Sequence, residues 1–479
     1  MTMRMRPGPA VALLLLVGLG AWVYFDELKG RRGAPKDETT KDRAIAFDRK
    51  DLKAIRIKNG HGEVRLERNG EAWTITDPLA TGTDKDSVDG LLSSLEFARV
   101  ERRLGATADL KGYGLEPPKA TLSLDLQGAG GSPTLSLGDA SPVGGTYFAL
   151  LPGGKEVAVV SASLGDLASK DLLGLRDKTL LALDPWKVNK LRIERGRETV
   201  LLEKPENGWK LQQPVEAPAD GPTVTDLLTA VERLRATAFE TEKATAKDLR
   251  RLALDPPSAG MTILQEGWDV EKRILIGRTK DGSLYARTEG RDPIMAIPKD
   301  FWEKIATKVD DLRRKEIFAL GQYRVATLTA ARAGRPALVL TRQKEGGWIV
   351  SGAVTGTVKA ETADALLRDL GALKARSFDD RPSEAVRASL SKRPALELTV
   401  QEEAEASGGA ARSQHLVFGP SEKGGSVRVR DMAWRPIAVL PAAALGSLDK
   451  DLDAVVKEAS EAPKATPAPS PAPSPTASR

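Results

Sequence analysis

The stretch Trp209-Lys-Leu-Gln-Gln-Pro-Val-Glu-Ala-Pro-Ala-Asp220-Gly-Pro-Thr-Val224-Thr-Asp-Leu227-Leu228-Thr-Ala-Val231 reads as the end of a hairpin, a polar loop and a helix. Its tryptophan sits on the return strand of a hairpin that opens at Val-Asn-Lys-Leu-Arg-Ile-Glu-Arg-Gly (188–196), where apolar and polar residues alternate around a glycine turn. Beyond the loop, Val224, Leu227, Leu228 and Val231 fall at i, i+3, i+4 and i+7, which predicts a helix with one apolar stripe. Asp220 stands where an N-cap is expected. A stripe this narrow needs a sheet face to cover, so the helix is expected to pack on the hairpin.

The same pattern occurs on either side. Trp73 is followed by Asp84 and by Val88, Leu91, Leu92 and Leu95, and Trp348 by Ala363, Leu366, Leu367 and Leu370. The tryptophans are 136 and 139 residues apart, and so are the helical patterns. The second half of the unit repeats as well. Tyr113-Gly-Leu-Glu-Pro117-Pro118 matches Leu252-Ala-Leu-Asp-Pro256-Pro257, with a degraded Leu390-Ser-Lys-Arg-Pro394 in the third copy. Each is followed by an alternating strand (120–126, 260–264, 395–400) and then by a strand ending in Gly138, Gly277 or Gly419. Two more strands and a short helix close the unit, giving three strands, helix, four strands, helix. The fold class is therefore α+β, a β-rich module of antiparallel hairpins with about two helices, used three times. Modules are expected at 43–178, 179–317 and 318–457, with junctions near Lys170 to Lys178 and Lys308 to Lys315. Trp73, Trp209, Trp348, Pro117, Pro118, Pro256, Pro257, Gly138, Gly277 and Gly419 are read as structural anchors of the repeat, because residues common to three copies are those the fold requires.

Before the modules, residues 1–27 read as an N-terminal transmembrane helix and 28–42 as a charged linker. Leu13, Leu14, Leu15, Leu16 and Val17 form the apolar centre, and Trp22, Tyr24 and Phe25 close it as interfacial aromatics do. The expectation is a single-pass signal anchor in a bacterial inner membrane with the bulk of the chain periplasmic. A cleaved signal peptide is the alternative, with Gly18 and Gly20 as a weak processing site. The Lys and Arg count around the segment, with Arg4 and Arg6 before it and Lys29, Arg31, Arg32 and Lys36 after it, would by itself keep the modules cytoplasmic. Residues 458–479, rich in Pro, Ala and Ser, are expected to be a disordered tail.

Composition narrows the chemistry. The chain of 479 residues has no cysteine, which excludes disulfides, thiolate metal sites and cysteine nucleophiles. Lys and Arg number 72 against 66 Asp and Glu, interspersed, which does not point to nucleic acid. His61 reads as a turn residue and His415 as the start of a strand, both at the surface. The glycines from Gly138 to Gly145 and from Gly277 to Gly282 are flanked by strands, and read as hairpin turns rather than phosphate loops. The carboxylate pairs Asp379-Asp380 and Glu402-Glu403 read as charged loops. No catalytic residue, cofactor or metal site is expected, and the chain is read as a non-enzyme.

The Gly-Trp hairpin, the Ala-Pro-Ala-Asp loop (217–220) before a Leu-Leu helix, the Leu-x-Pro-Pro turn and the Leu-x-Leu-Gly strand together resemble the bacterial family catalogued as the domain of unknown function numbered 4340. The resemblance covers about residues 43 to 457 and is clearest in the first two copies. It implies a membrane-anchored envelope protein without established catalytic residues, often encoded beside permease and binding-like components of ABC transporters similar to those of gliding motility. The expected function is that of a noncatalytic accessory or scaffold subunit of such a complex, with transporter permease or ATPase subunits as partners. The alternative is a periplasmic binder of envelope polysaccharide that uses the tryptophans as a stacking row.

Overall fold

A computed structural model describes residues 42–461, apart from 107–108, 129–130, 143, 207, 404–410 and 434–435. The membrane segment expected over 1–27, with its residues from Leu13 to Phe25, lies outside the described residues, as do nearly all of the charged linker and the tail from 462 onward. Among the described residues no helix is long and apolar enough to cross a membrane.

The first module is one antiparallel sheet of nine strands: β1 (Leu52–Asn59), β2 (Gly62–Asn69), β3 (Ala72–Asp77), β4 (Thr81–Gly82), β5 (Val100–Gly105), β6 (Ala120–Leu126), β7 (Thr134–Ala140), β8 (Tyr147–Leu150) and β9 (Val157–Val160). Their spatial order is β4-β3-β2-β1-β6-β7-β8-β9-β5, and the same order recurs in two further nine-stranded sheets. The three-copy α+β reading therefore holds. The chain divides into two compact units, Met1–Lys178 and Thr179–Arg479, so the second and third modules belong to one unit.

Each sheet buries one face under a helix that crosses from its hairpin half to its second half. The helices Lys85–Glu96, Gly221–Glu232 and Ala360–Gly371 bury the four apolar residues named from periodicity in each copy. Asp84 and Asp220 cap the first two through the backbone N–H groups of Ser87 and Thr223. The third lacks a side-chain cap at Lys359. Three separate apolar cores result, the first built on Ile55, Leu66 and Leu124, the second on Leu191, Leu202 and Leu228, and the third on Leu328, Leu340 and Leu366.

Three features differ from the expected order. After its helix, each copy adds an edge strand (Val100–Gly105, Ala238–Thr241, Ser377–Asp379) that pairs with the strand most distant in sequence within the module. A very short strand also precedes each helix. The closing helix of the third copy, Ala442–Glu461, has 20 residues and runs past 457 into the stretch read as tail. It covers the short strand Gly356–Val358, so closely that a Cβ at Gly356 would overlap the carbonyl of Ala459. Glu458 fixes it there, accepting from the Lys359 N–H at 3.1 Å and from the Thr362 hydroxyl.

Gly138 and Gly277 lie inside the strands Thr134–Ala140 and Lys272–Arg278 and not in hairpin turns. Their role is steric. The Pro-Pro turn folds onto the outer face of the sheet, with Leu115 bridged to Pro118 and Leu254 to Pro257, and brings the carbonyls of Tyr113 and Leu252 into the space a Cβ would occupy. The bonds Glu116–Pro117 and Asp255–Pro256 are cis. At the tip of this turn Gly114 has φ of 65°, whereas the second module places Ala253 there with φ of 54°. A left-handed conformation costs an L-residue about 1–2 kcal/mol. Ala253→Gly is therefore expected to stabilise the second module by about 1 kcal/mol in urea unfolding, after allowing for glycine's extra freedom in the unfolded chain.

Candidate functional site

The second and third modules meet at a joint built around one arginine. Arg313 follows the 3-10 turn Val309–Asp311 and is completely buried. Its guanidinium lies over the ring of Phe378 at 3.9 Å, and its Nη1 pairs with Asp380 at 2.7 Å and with Asp310 at 3.6 Å. Burying a charge is costly unless it is paired and hydrogen-bonded, so this cation fixes where Asp380 of the third module must be. Backbone bonds make the joint continuous with both sheets. Arg314 N–H donates to Pro218 O at 3.0 Å, Ala375 N–H to Lys315 O at 2.8 Å, and Ile317 N–H to Leu373 O at 3.0 Å. Glu316 faces Lys374 at 3.0 Å; burial pushes its carboxyl up, but hydrogen bonds from Lys374 and its own backbone hold it below the usual range.

Beside the joint is a cleft of about 690 Å³, lined by residues of both modules that include Lys210, Pro214, Pro218, Asp380 and Pro436. Lys210 is ion-paired with Glu216 on its wall. Aliphatic proline surface alternates with charged groups here, among them the carboxylates of Glu216 and Asp380. Among the described residues no group of His, Asp and Glu side chains could hold a metal ion.

The residues named from the sequence take different places. Trp209 and Trp348 are 8% and 2% exposed and belong to the second and third cores, and Trp73 packs partly buried against the first. They form no exposed row. Lys204 lies 6.0 Å from the Trp209 ring and Arg342 lies 4.6 Å from that of Trp348, covering their outer edges. Pro117, Pro118, Pro256 and Pro257 form the turns that press on Gly138 and Gly277, and Gly419 meets a Leu390 methyl at 2.6 Å from where its Cβ would be. His61 is exposed in the turn after β1. His415 lies within the strand Ser413–Phe418 rather than at its start, with its Nε2 2.6 Å from Glu397.

Of each carboxylate pair read as a charged loop, one member is structural, Asp380 in the first and Glu402 in the second. Asp379 ends the edge strand Ser377–Asp379, and Asp380 pairs with Arg313. Glu402 ends the strand Leu396–Glu402 with its side chain buried, accepting from the Arg412 fork at 2.8 Å twice and from the Gly321 N–H at 2.6 Å. The Arg412 hydrogen bonds, against burial and with help from Gly321, hold this carboxyl below the usual glutamate range. A lowered folded-state value means the stabilisation is complete above the unfolded value of about 4.3 and is lost as pH falls through the folded one. Acid unfolding of Glu402→Gln is therefore expected to be less steep than that of the parent below about pH 4. Identical acid profiles for the two proteins would show that Glu402 contributes nothing to this dependence. Arg313 and Arg412 carried no sequence signal of their own, because their importance comes from partners 67 and 10 residues away.

This architecture defines a tandem-repeat α+β protein whose modules share one nine-strand order. The chain belongs to the family of the domain of unknown function DUF4340, whose model matches residues 73–212 and 209–393. Both matches begin at a repeat tryptophan, so the family unit starts on the return strand of one hairpin and runs into the next module. None of the curated proteins matches the chain.

Proposed function

We propose that this protein is a noncatalytic, membrane-tethered scaffold of the bacterial envelope, an accessory subunit that presents its modules to an ABC-type transport or gliding-motility-like complex. The observation that carries this reading is where the repeated residues go: the tryptophans, the helix stripes and the glycines under the Pro-Pro turns are all used in packing. The buried joint of Arg313 with Asp380 supports it further, since a presenting subunit needs modules held at a fixed relation. The tether is the apolar segment from Leu13 to Phe25, which on this reading places the modules outside the inner membrane.

In-cell crosslinking followed by purification of the full chain is the test. Permease or ATPase subunits recovered with the protein are the expected result, and their loss on Arg313→Ala would assign the docking to the paired modules. Recovery of envelope polysaccharide alone, from protein that is folded and membrane-bound, would overturn the reading. An alkaline phosphatase fusion after Lys315 is expected to be active, and an inactive fusion would place the modules in the cytoplasm.

A further inference from the structure

The third module also departs from the other two around residues 384–394. Its Pro-Pro turn is reduced to Pro394, which follows the helix Glu384–Lys392, longer than its counterpart Ala246–Arg251 in the second module. In the first two modules the turn packs directly on the strand glycine and leaves no room. In the third, a cleft of about 410 Å³ opens between the end of this helix and the strand Ser426–Asp431. Lys392 and Arg393 line it from the helix and Arg428 from the strand, with Glu422 as the carboxylate among them.

The charge of this cleft is not neutralised. Lys392 and Arg393 are exposed and, among the described residues, their side chains make no ion pair, whereas Arg428 is half-buried and tied to Glu422 at 2.9 Å and, more loosely, to Asp379 at 3.8 Å. A second cleft on the other side of the same helix adds Arg387 and Arg430 against Glu384. Five cations thus face Glu422 and Glu384 in the two clefts, with Asp379 a third carboxylate within reach of Arg428. In the other modules Lys119 pairs with Asp139 at 2.6 Å and Arg251 with Glu240 at 2.9 Å. Basic residues at a helix C-terminus interact favourably with the helix dipole, which accounts for Lys392 but not for a cation converging from a separate strand.

We infer that the cleft between the 384–392 helix and the 426–431 strand binds a phosphate group, with Lys392, Arg393 and Arg428 as its ligands. Two guanidinium forks and an ammonium suit the tetrahedral oxygens of a phosphate, which accepts paired N–H donors as well as a point charge. Three cations set against Glu422 and the more distant Asp379 leave one positive charge for the anion to balance, and the cleft lies within the size of small-ligand sites. The phosphate comes either from a soluble ester or from a phospholipid headgroup.

The test uses the full chain and two probes in calorimetric titration, inorganic phosphate and a short-chain phosphatidylglycerol, the latter set against a short-chain phosphatidylcholine. The double variant Lys392→Gln/Arg393→Gln changes two exposed side chains, and Lys53→Gln/Lys58→Gln removes the same charge from the first module. Binding weakened about tenfold or more in the first variant, and within about twofold of the parent in the second, is the expected result, since the first variant loses charge-assisted hydrogen bonds to the anion. Saturation by inorganic phosphate assigns a soluble ester; binding of the short-chain phosphatidylglycerol alone assigns the headgroup. Absence of binding to either probe, or binding that both variants weaken equally, overturns the site.

Discussion

Replacing Gly277 by alanine is expected to unfold the second module or cost it about 3 kcal/mol or more, the upper end of what overpacking does, because no side chain can yield. The obstruction is backbone: the Leu252 carbonyl and the peptide of Ala253 occupy the position of the new methyl, and they are held by the turn that ends at Pro257. Relief would require the turn to lift off the sheet, exposing Leu252, Leu254 and Ile294, the small cluster it covers on the outer face. Gly419→Ala in the third module meets a flexible Leu390 methyl instead and is expected to cost clearly less. Urea unfolding of the two variants side by side checks the argument. Equal losses at both positions would mean that the carbonyl contact is not what requires glycine in the strand.

The second large effect is at the joint. Arg313→Ala removes a completely buried cation, leaves Asp380 without its 2.7 Å partner and opens a gap against Phe378. Breaking a buried pair from one side costs about 3–5 kcal/mol, and because the carboxylate left behind is 29% exposed the loss is expected at the lower end of that range. Because the second and third modules form one compact unit, they are expected to unfold together in the parent and in two steps in the variant. Asp380→Asn in the Arg313→Ala background should recover part of the loss, since it removes the stranded charge. A single, merely shifted transition in Arg313→Ala would locate the cohesion of the unit in its backbone bonds from Pro218 to Ala375 instead.

Much of this fold could be read from the residues. The four-residue stripes, the tryptophan strands and the Pro-Pro turns each act locally, so their spacing was enough to find three copies. The edge strands could not be read. Val100-Glu-Arg-Arg-Leu-Gly105 carries charge on both faces, and what makes it a strand is β9, which arrives more than 50 residues later. Burial of Glu402 and the pairing of Asp380 were hidden for the same reason, since a carboxylate looks solvated until its arginine is placed beside it. The anion cleft was half legible. The lost proline at the third turn marked that copy as different, but the convergence of Lys392 and Arg393 with Arg428 depends on how the 384–392 helix meets the sheet.

The long helix Ala442–Glu461 has a bearing on how such chains can lengthen. In the second module the short strand before the helix receives the segment that leads onward, through Ala219 and Arg313. In the third, the equivalent strand is occupied by the module's own final helix, down to the carbonyl of Ala459. A copy of the third kind thus cannot hand the chain to a successor in the same way, whereas a copy of the second kind must have one. Gene duplication could therefore insert new units only upstream of this helix, and the array would grow from its interior while its last member stayed the same.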